Sequence, residues 1–282
     1  MAIVFGLLAA MVWAVGNLAA SRASRVMAPN SLLAGISLVG LALCVPILIA
    51  EGPPHDTSLS GLSWLALGGA ANIAGLALLY IAYRVGDVAL VAPITSTEGA
   101  IAAVIAIAAG ERLQVDVVLL LALIVVGVVR AADAGTGQVA LAGRFNWGVV
   151  TVTCLGAVCF GISLYATGRA SHTEQFGWIA ASPRVVGLFV VTLPLLLRGR
   201  LRVTRAGAPL LVLSAACEVG GFSLYSFAAH RSLAVAAVLG SLFAAFAVVG
   251  AAFLFGERMS RGQWSGVAMI VVGVAVLSAV AG

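Results

Sequence analysis

Lysine is absent from this 282-residue sequence, and all fifteen basic residues are arginine. A nucleotide-binding loop that sets a lysine on phosphates, and an enzyme that forms a Schiff base through one, are both excluded by that absence. Charge of either sign is scarce, at 9% of residues against 62% hydrophobic, and the mean hydropathy is +1.16. Soluble globular domains carry roughly 25% charged residues, so this composition belongs to a chain embedded in lipid. The formal net charge of +5 raises nucleic acid as a partner. The arginines sit at the ends of apolar runs instead of forming a patch, and nucleic-acid binding is set aside.

Cysteine is also sparse. Cys44, Cys154, Cys159 and Cys217 all lie inside apolar runs without CxxC spacing, and they read as small core hydrophobes. His55, His172 and His230 are scattered in or near loops, so no metal or other cofactor is expected. The first twenty residues lack a basic stretch before the apolar run and continue into Asn17 with no convincing cleavage site, which predicts a retained first helix.

What the chain has instead is long hydrophobic runs. Ten can be drawn, at 2–20, 31–50, 61–83, 88–109, 115–132, 146–168, 175–197, 207–229, 233–255 and 262–281. Each holds about twenty residues, which at ~1.5 Å rise per residue covers the ~30 Å hydrocarbon core. The second half repeats the first at a shift of 146 residues. Gly110-Glu111-Arg112-Leu113 returns as Gly256-Glu257-Arg258-Met259, and Gly61, Gly75 and Leu78 return as Gly207, Gly221 and Leu224. Gly110 and Gly256 are placed to end helices, with Glu111 and Glu257 near the positive end of the next helix. Ala134-Gly135-Thr136-Gly137-Gln138 is the longest flexible link expected. The domains are therefore a first five-helix repeat over 1–133, a linker over 134–145 and a second five-helix repeat over 146–282. Five crossings per half is odd, so the second half must enter the membrane from the opposite side. The predicted fold is an all-α membrane protein of ten transmembrane helices in two inverted five-helix repeats, an organisation that secondary transporters use.

Orientation follows from the arginines. Arg22, Arg25, Arg84, Arg130, Arg144, Arg198, Arg200, Arg202, Arg205, Arg258 and Arg261, eleven in all, fall on one side; Arg112, Arg169 and Arg231 fall on the other, and Arg184 lies inside a span. The positive-inside rule puts the loop between the first two helices in the cytoplasm and both termini outside. The expected location is the cell inner membrane.

Ten helices in two repeats, an Ala/Gly/Leu-rich texture and a Gly-Glu-Arg closing the fourth span of each repeat resemble the drug/metabolite transporter superfamily, specifically its EamA-type ten-helix members. The resemblance covers nearly the whole chain. It implies a basket of helices around a central cavity lined by the first, third and fourth helices of each repeat. It also implies fifth helices at the periphery and alternating access between two faces. Small multidrug relatives use an acid in the first helix; residues 1–20 contain none, so proton-for-drug exchange of that type is not expected.

Ionisable groups deep in a span cost about 2.5–3.5 kcal/mol each on insertion scales, so they face an aqueous cavity or a partner. Three qualify: Glu98, Arg184 and Glu218. Helical spacing puts Glu218, Gly221 and Tyr225 on one face of the eighth span, and their repeat-mates Asn72, Gly75 and Leu79 on the matching face of the third. An acid and an amide then confront each other across the pseudo-twofold axis, with glycines letting the backbone approach a ligand. Glu98 lies in a polar island, Thr95-Ser96-Thr97-Glu98-Gly99, and Asn17 shares a face with Trp13 on the first helix. Arg184 either contacts a substrate carboxylate or forms an ion pair with Glu218 or Glu98. Family members often carry an arginine in this helix. For Asn17 and Asn72 an interhelical hydrogen bond stands beside ligand contact.

The candidate substrate-binding residues are thus Trp13, Asn17, Asn72, Glu98, Arg184, Glu218 and Tyr225. Glu218, with Glu98 as its rival, is the expected group for proton coupling, and facilitated diffusion is compatible with the same residues. The function expected is secondary transport of a small organic metabolite such as an amino acid or a derivative, in the export direction on family analogy, by a monomer in the lipid bilayer. The alternatives are a multidrug efflux transporter and, in a different class, a membrane-embedded lipid-modifying enzyme. The latter needs clustered His, Asp or Ser groups near an interface, and none is visible in the sequence.

Overall fold

The computed structural model describes residues 2–54, 58–86, 88–111, 114–141, 147–243, 245–246 and 261–280. Among these every regular element is helical. In chain order they are α1 (Ala2–Val26), α2 (Pro29–Glu51), α3 (Leu59–Val85), α4 (Val88–Thr95), α5 (Glu98–Ala108), α6 (Val115–Leu141) and α7 (Trp147–Ala170). Then follow α8 (Phe176–Gly187), a π-turn (Leu188–Thr192), α9 (Leu193–Leu197), α10 (Ala208–Ala229), α11 (Leu233–Gly240) and α12 (Arg261–Val280). Six segments are long and apolar enough to cross a bilayer: α1, α2, α3, α7, the stretch Phe176–Leu197, and α10.

Local chemistry sets the ends. Pro29 opens α2, where a missing N–H costs nothing. Ser58 and Ser232 cap α3 and α11, their hydroxyls accepting from Gly61 N–H at 3.1 Å and Val235 N–H at 3.5 Å. Gly110, at φ 102°, closes α5: the Glu111 N–H reaches back to the Ala106 carbonyl at 3.0 Å, the wrap that a left-handed residue permits. The fifth span runs longer than expected, because the backbone of α6 continues through Leu141 over the Ala134–Gln138 stretch. Extending an established helix adds one hydrogen bond per residue without a new nucleus, which carries the helix across Gly135 and Gly137 despite their low propensity.

Helices pair across the two halves of the chain. α1 packs on α10 and α3 on α7, α2 packs on α8, α5 on α11, and α6 on α12. Taken as whole spans, with α5 in the fourth and α11 in the ninth, exchanging first-half for second-half spans maps this set of pairs onto itself, which is the signature of a pseudo-twofold arrangement. The α6–α12 pair meets through small residues, Gly127 against Gly266 and Gly273 against Ile124.

The loops separate onto two faces. On one, Arg202 N–H donates to Ser31 Oγ at 3.3 Å and Gly207 packs on Met27. On the other, the Glu51 carboxylate accepts from Gly177 N–H at 3.0 and 3.2 Å, at the start of α8. Glu111 lies on that second face too. Its carboxylate does not serve the next helix, as expected; it crosses to the other repeat, accepting from Ser232 Oγ at 2.8 Å and from Ala234 N–H at 3.2 Å at the start of α11. Its attraction to a positive helix end is satisfied by a neighbour in space instead of a neighbour in sequence. Glu257 lies outside the described residues.

Candidate functional site

The fourth span is not one helix. It stops at Thr95 and restarts at Glu98, and the second half has the same break, α11 ending at Gly240 before a turn over Ser241 and Leu242. Thr95 and Ser241 are 146 positions apart. Hydroxyls compete for the backbone acceptors here: Thr95 Oγ1 donates to Val91 O at 2.9 Å, Thr97 Oγ1 to Ile94 O at 2.7 Å, and Ser241 Oγ to Val238 O at 2.8 Å. The two breaks touch. Gly99 rests on the Ala237 carbonyl and on Ser241, with no space for a Cβ.

Beside this crossing is a narrow cavity of about 30 Å³, room for a water molecule or two in this conformation. Its lining alternates between the repeats. Trp13 and Asn17 come from α1, Asn72, Leu76 and Leu79 from α3, and Thr95 and Glu98 from the broken fourth span. The second half contributes Phe160, Ser163 and Leu164 from α7, Glu218 and Phe222 from α10, and Phe243 after the second break. First, third and fourth spans of each half thus surround it, and neither α6 nor α12 reaches it.

Five of the seven expected residues line this cavity: Trp13, Asn17, Asn72, Glu98 and Glu218. Arg184 and Tyr225 do not. Arg184 lies behind the wall with 0% exposure, its Nη2 donating to Glu218 Oε2 at 3.1 Å and its guanidinium 5.8 Å from the Phe222 ring centre. Gly40 on α2 leaves the room that its stem occupies. Tyr225 is also fully buried, its hydroxyl donating to Leu164 O at 2.9 Å and its ring 5.9 Å from that of Trp13.

The polar groups differ in how well they are occupied. Asn17 is engaged: its Nδ2 donates to Trp13 O at 3.0 Å and its Oδ1 accepts from Tyr83 OH at 3.2 Å, tying α1 to α3. Among the described residues, Asn72 Oδ1 and Ser96 Oγ are buried without a partner. Glu98 is 6% exposed, and the ion pair found among the described residues joins Arg184 to Glu218 only. The cavity wall therefore carries one carboxyl group paired with an arginine and one outside that ion pair.

The repeated glycines act differently from expectation. Gly75 and Gly221 do not face a ligand; each seats an aromatic ring of the paired helix, Gly75 against Phe160 and Gly221 against Trp13. Those two rings in turn form cavity wall. Phe160, Ser163, Leu164, Phe222 and Phe243 were not singled out from sequence. One was within reach of the 146-residue shift, since Ser163 is the mate of Asn17.

A family model, the EamA-like transporter family, matches residues 1–131 and again residues 146–279. The chain belongs to that family. The two matches fall on the two halves, so the EamA-like repeat occurs twice, as the internal shift indicates. A solved structure, described only as the crystal structure of a protein, matches at TM-score 0.73 and 18% identity, over 99% of this chain and 96% of that one. At that identity the likeness concerns the fold alone. No curated protein matches in sequence. Transport and a multi-pass membrane location follow from the family and from the six apolar spans.

Proposed function

We propose that this EamA-type chain is an alternating-access secondary transporter for a small organic metabolite such as an amino acid or derivative, working as a monomer with ten crossings. The observation that carries the reading is the cavity built from equivalent spans of both repeats at the crossing of two broken helices. Broken helices at a repeat interface leave backbone and side-chain polar groups available to a ligand, and rocking of one repeat against the other changes which face the cavity meets. Its wall offers carboxylates, amides and aromatic rings, which suit an amine attached to an apolar body. The export direction rests on family analogy. The inner membrane location, with both termini extracytoplasmic, rests on the arginine count.

Glu218 and Glu98 are the candidates for proton coupling. The ion pair with Arg184 occupies Glu218, which favours Glu98 as the group that exchanges a proton with the cavity. Reconstituted protein loaded with a mixed metabolite pool identifies the substrate by what leaves. Flux is then measured with and without an imposed pH gradient for the parent, Glu98→Gln and Glu218→Gln. Glu98→Gln is expected to lose uphill movement while keeping downhill exchange. Normal gradient-driven accumulation by Glu98→Gln would remove it from the coupling step, and no flux of any pool component would overturn the transport reading.

A further inference from the structure

A second hollow, of about 340 Å³, opens on the face where α5 ends and α11 begins. Arg169, His172, Arg231, Glu111 and Tyr165 contribute to its lining. Its charge is of the opposite kind to that of the central cavity. The Glu111 carboxylate accepts from Ser232 Oγ at 2.8 Å and from the Ala234 N–H at the positive end of α11, so its oxygens are directed there, and the lining sets two guanidinium groups against one carboxylate. Arg169 and Arg231 are exposed, and the ion pair among the described residues involves neither of them. Arg169 is instead held by an aromatic platform: its guanidinium lies 5.6 Å from the Trp64 ring centre, and Trp64 meets Tyr165 edge-on at 5.8 Å.

The histidines report the same field. His172 and His230 stack with ring centres 5.1 Å apart, and the His230 Nδ1 lies 2.9 Å from the Ser171 carbonyl. Partial burial, then His230 and Arg169, push the His172 imidazole below its usual range, with Glu111 opposing. Two permanent guanidinium charges against the one Glu111 carboxylate leave the hollow net positive at neutral pH.

We propose that this hollow is an oxyanion site, in which Arg169 and Arg231 hold the carboxylate or phosphate of an organic anion and Tyr165 supports its apolar part. Guanidinium groups suit this ligand because their planar N–H donors match two oxygens at once. Neither arginine belongs to the central cavity, so the assignment does not depend on which substrate passes there. Two sources offer the same chemistry, a soluble organic anion and the headgroup of an anionic lipid.

Benzoate serves as the probe, titrated into purified protein in nanodiscs of zwitterionic lipid and read by tryptophan fluorescence. The parent is expected to give a saturable change whose midpoint shifts at least about tenfold in Arg169→Gln/Arg231→Gln, because both guanidinium donors to the carboxylate are then gone. Arg231→Gln alone, at an exposed position, should weaken binding severalfold while leaving the melting temperature in place. Trp64→Phe should remove most of the signal. Absence of saturation, an unchanged midpoint in the double variant, or a full signal in Trp64→Phe overturns the site. In nanodiscs containing phosphatidylglycerol, a weakened benzoate midpoint in the parent alone supports the site with a lipid headgroup as its occupant, and an unchanged one supports a soluble anion. Flux is not part of this readout, so its failure and failure of the transport reading are told apart.

Discussion

Arg184 sits at 0% exposure, and among the described residues its Nε and Nη1 are unpartnered and Glu218 is the one group that balances its charge. Breaking a buried ion pair costs about 3–5 kcal/mol because it strands the remaining charge, whereas removing both members is milder. Arg184→Leu and Glu218→Leu should each lower the melting temperature sharply, and the double variant should lose much less than their sum. Arg184→Leu combined with Glu98→Leu should be additive, since those two do not pair. Strict additivity in both combinations would count against the pair. Two adjacent glycines make a second contrast. A Cβ at Gly221 runs into the Trp13 indole, while one at Gly220 meets only Val12 at an ordinary 3.8 Å. Gly221→Ala is expected to cost about 1–3 kcal/mol by overpacking and to change Trp13 fluorescence. Gly220→Ala should be neutral or stabilising, since alanine is the better helix former by up to ~1 kcal/mol. Thermal melts of the two side by side decide it.

At the scale of elements, the irregular stretches have local causes. Pro183 lies inside α8 and Pro194 opens α9, and neither can donate a backbone hydrogen bond. Just before Pro194 the backbone widens into a π-turn, with the Leu193 N–H reaching Leu188 O. Thr192 lies in this turn, its hydroxyl 3.2 Å from both Gly187 O and Ala34 O. In a dry interior the hydroxyl donor is thereby satisfied, and the contact with Ala34 O ties this stretch to α2. Thr192→Val keeps the shape and removes the donor, so it should cost about 1 kcal/mol, measurable as a lowered melting temperature in detergent. No loss of stability would mean that the hydroxyl contributes nothing to holding the turn.

For the whole molecule, the prediction concerns sidedness. The contacts of Arg202 with Ser31 and of Gly207 with Met27 bring the loop after Val26 and the arginine-rich loop after Leu197 to one face. Glu51 and Gly177 meet at the opposite face. The sequence assigns eleven arginines to the side of that first face, Arg144 and Arg258 among them lying outside the described residues, so that face is expected to be cytoplasmic. Reporter fusions after Ala28 and Val203 should give cytoplasmic signals, and one after Asp56 an external signal. A cytoplasmic signal at Asp56 with an external one at Val203 reverses the orientation.

Sequence alone determined the helical class, the duplication and most span ends, because these depend on local quantities: the length of apolar runs, the spacing of Gly110 and its mate, and proline and serine at helix starts. It also identified Glu98, Arg184 and Glu218, since a charge inside an apolar run needs no partner to be noticed. Tertiary structure decided what each charge does. Nothing along the chain distinguishes Glu218 from Glu98 as the mate of Arg184, for both are far from it in sequence and only the packing of α8 on α10 sets the distance. The glycine faces were misread for the same reason: a missing side chain signals close approach, but not whether a ligand or a ring from the opposite repeat fills the space. Ser163 was reachable by carrying the internal repeat one step further, from Asn17. The breaks in the fourth and ninth spans were not, because whether a Ser/Thr hydroxyl merely decorates a helix or helps to interrupt it depends on what crosses beside it.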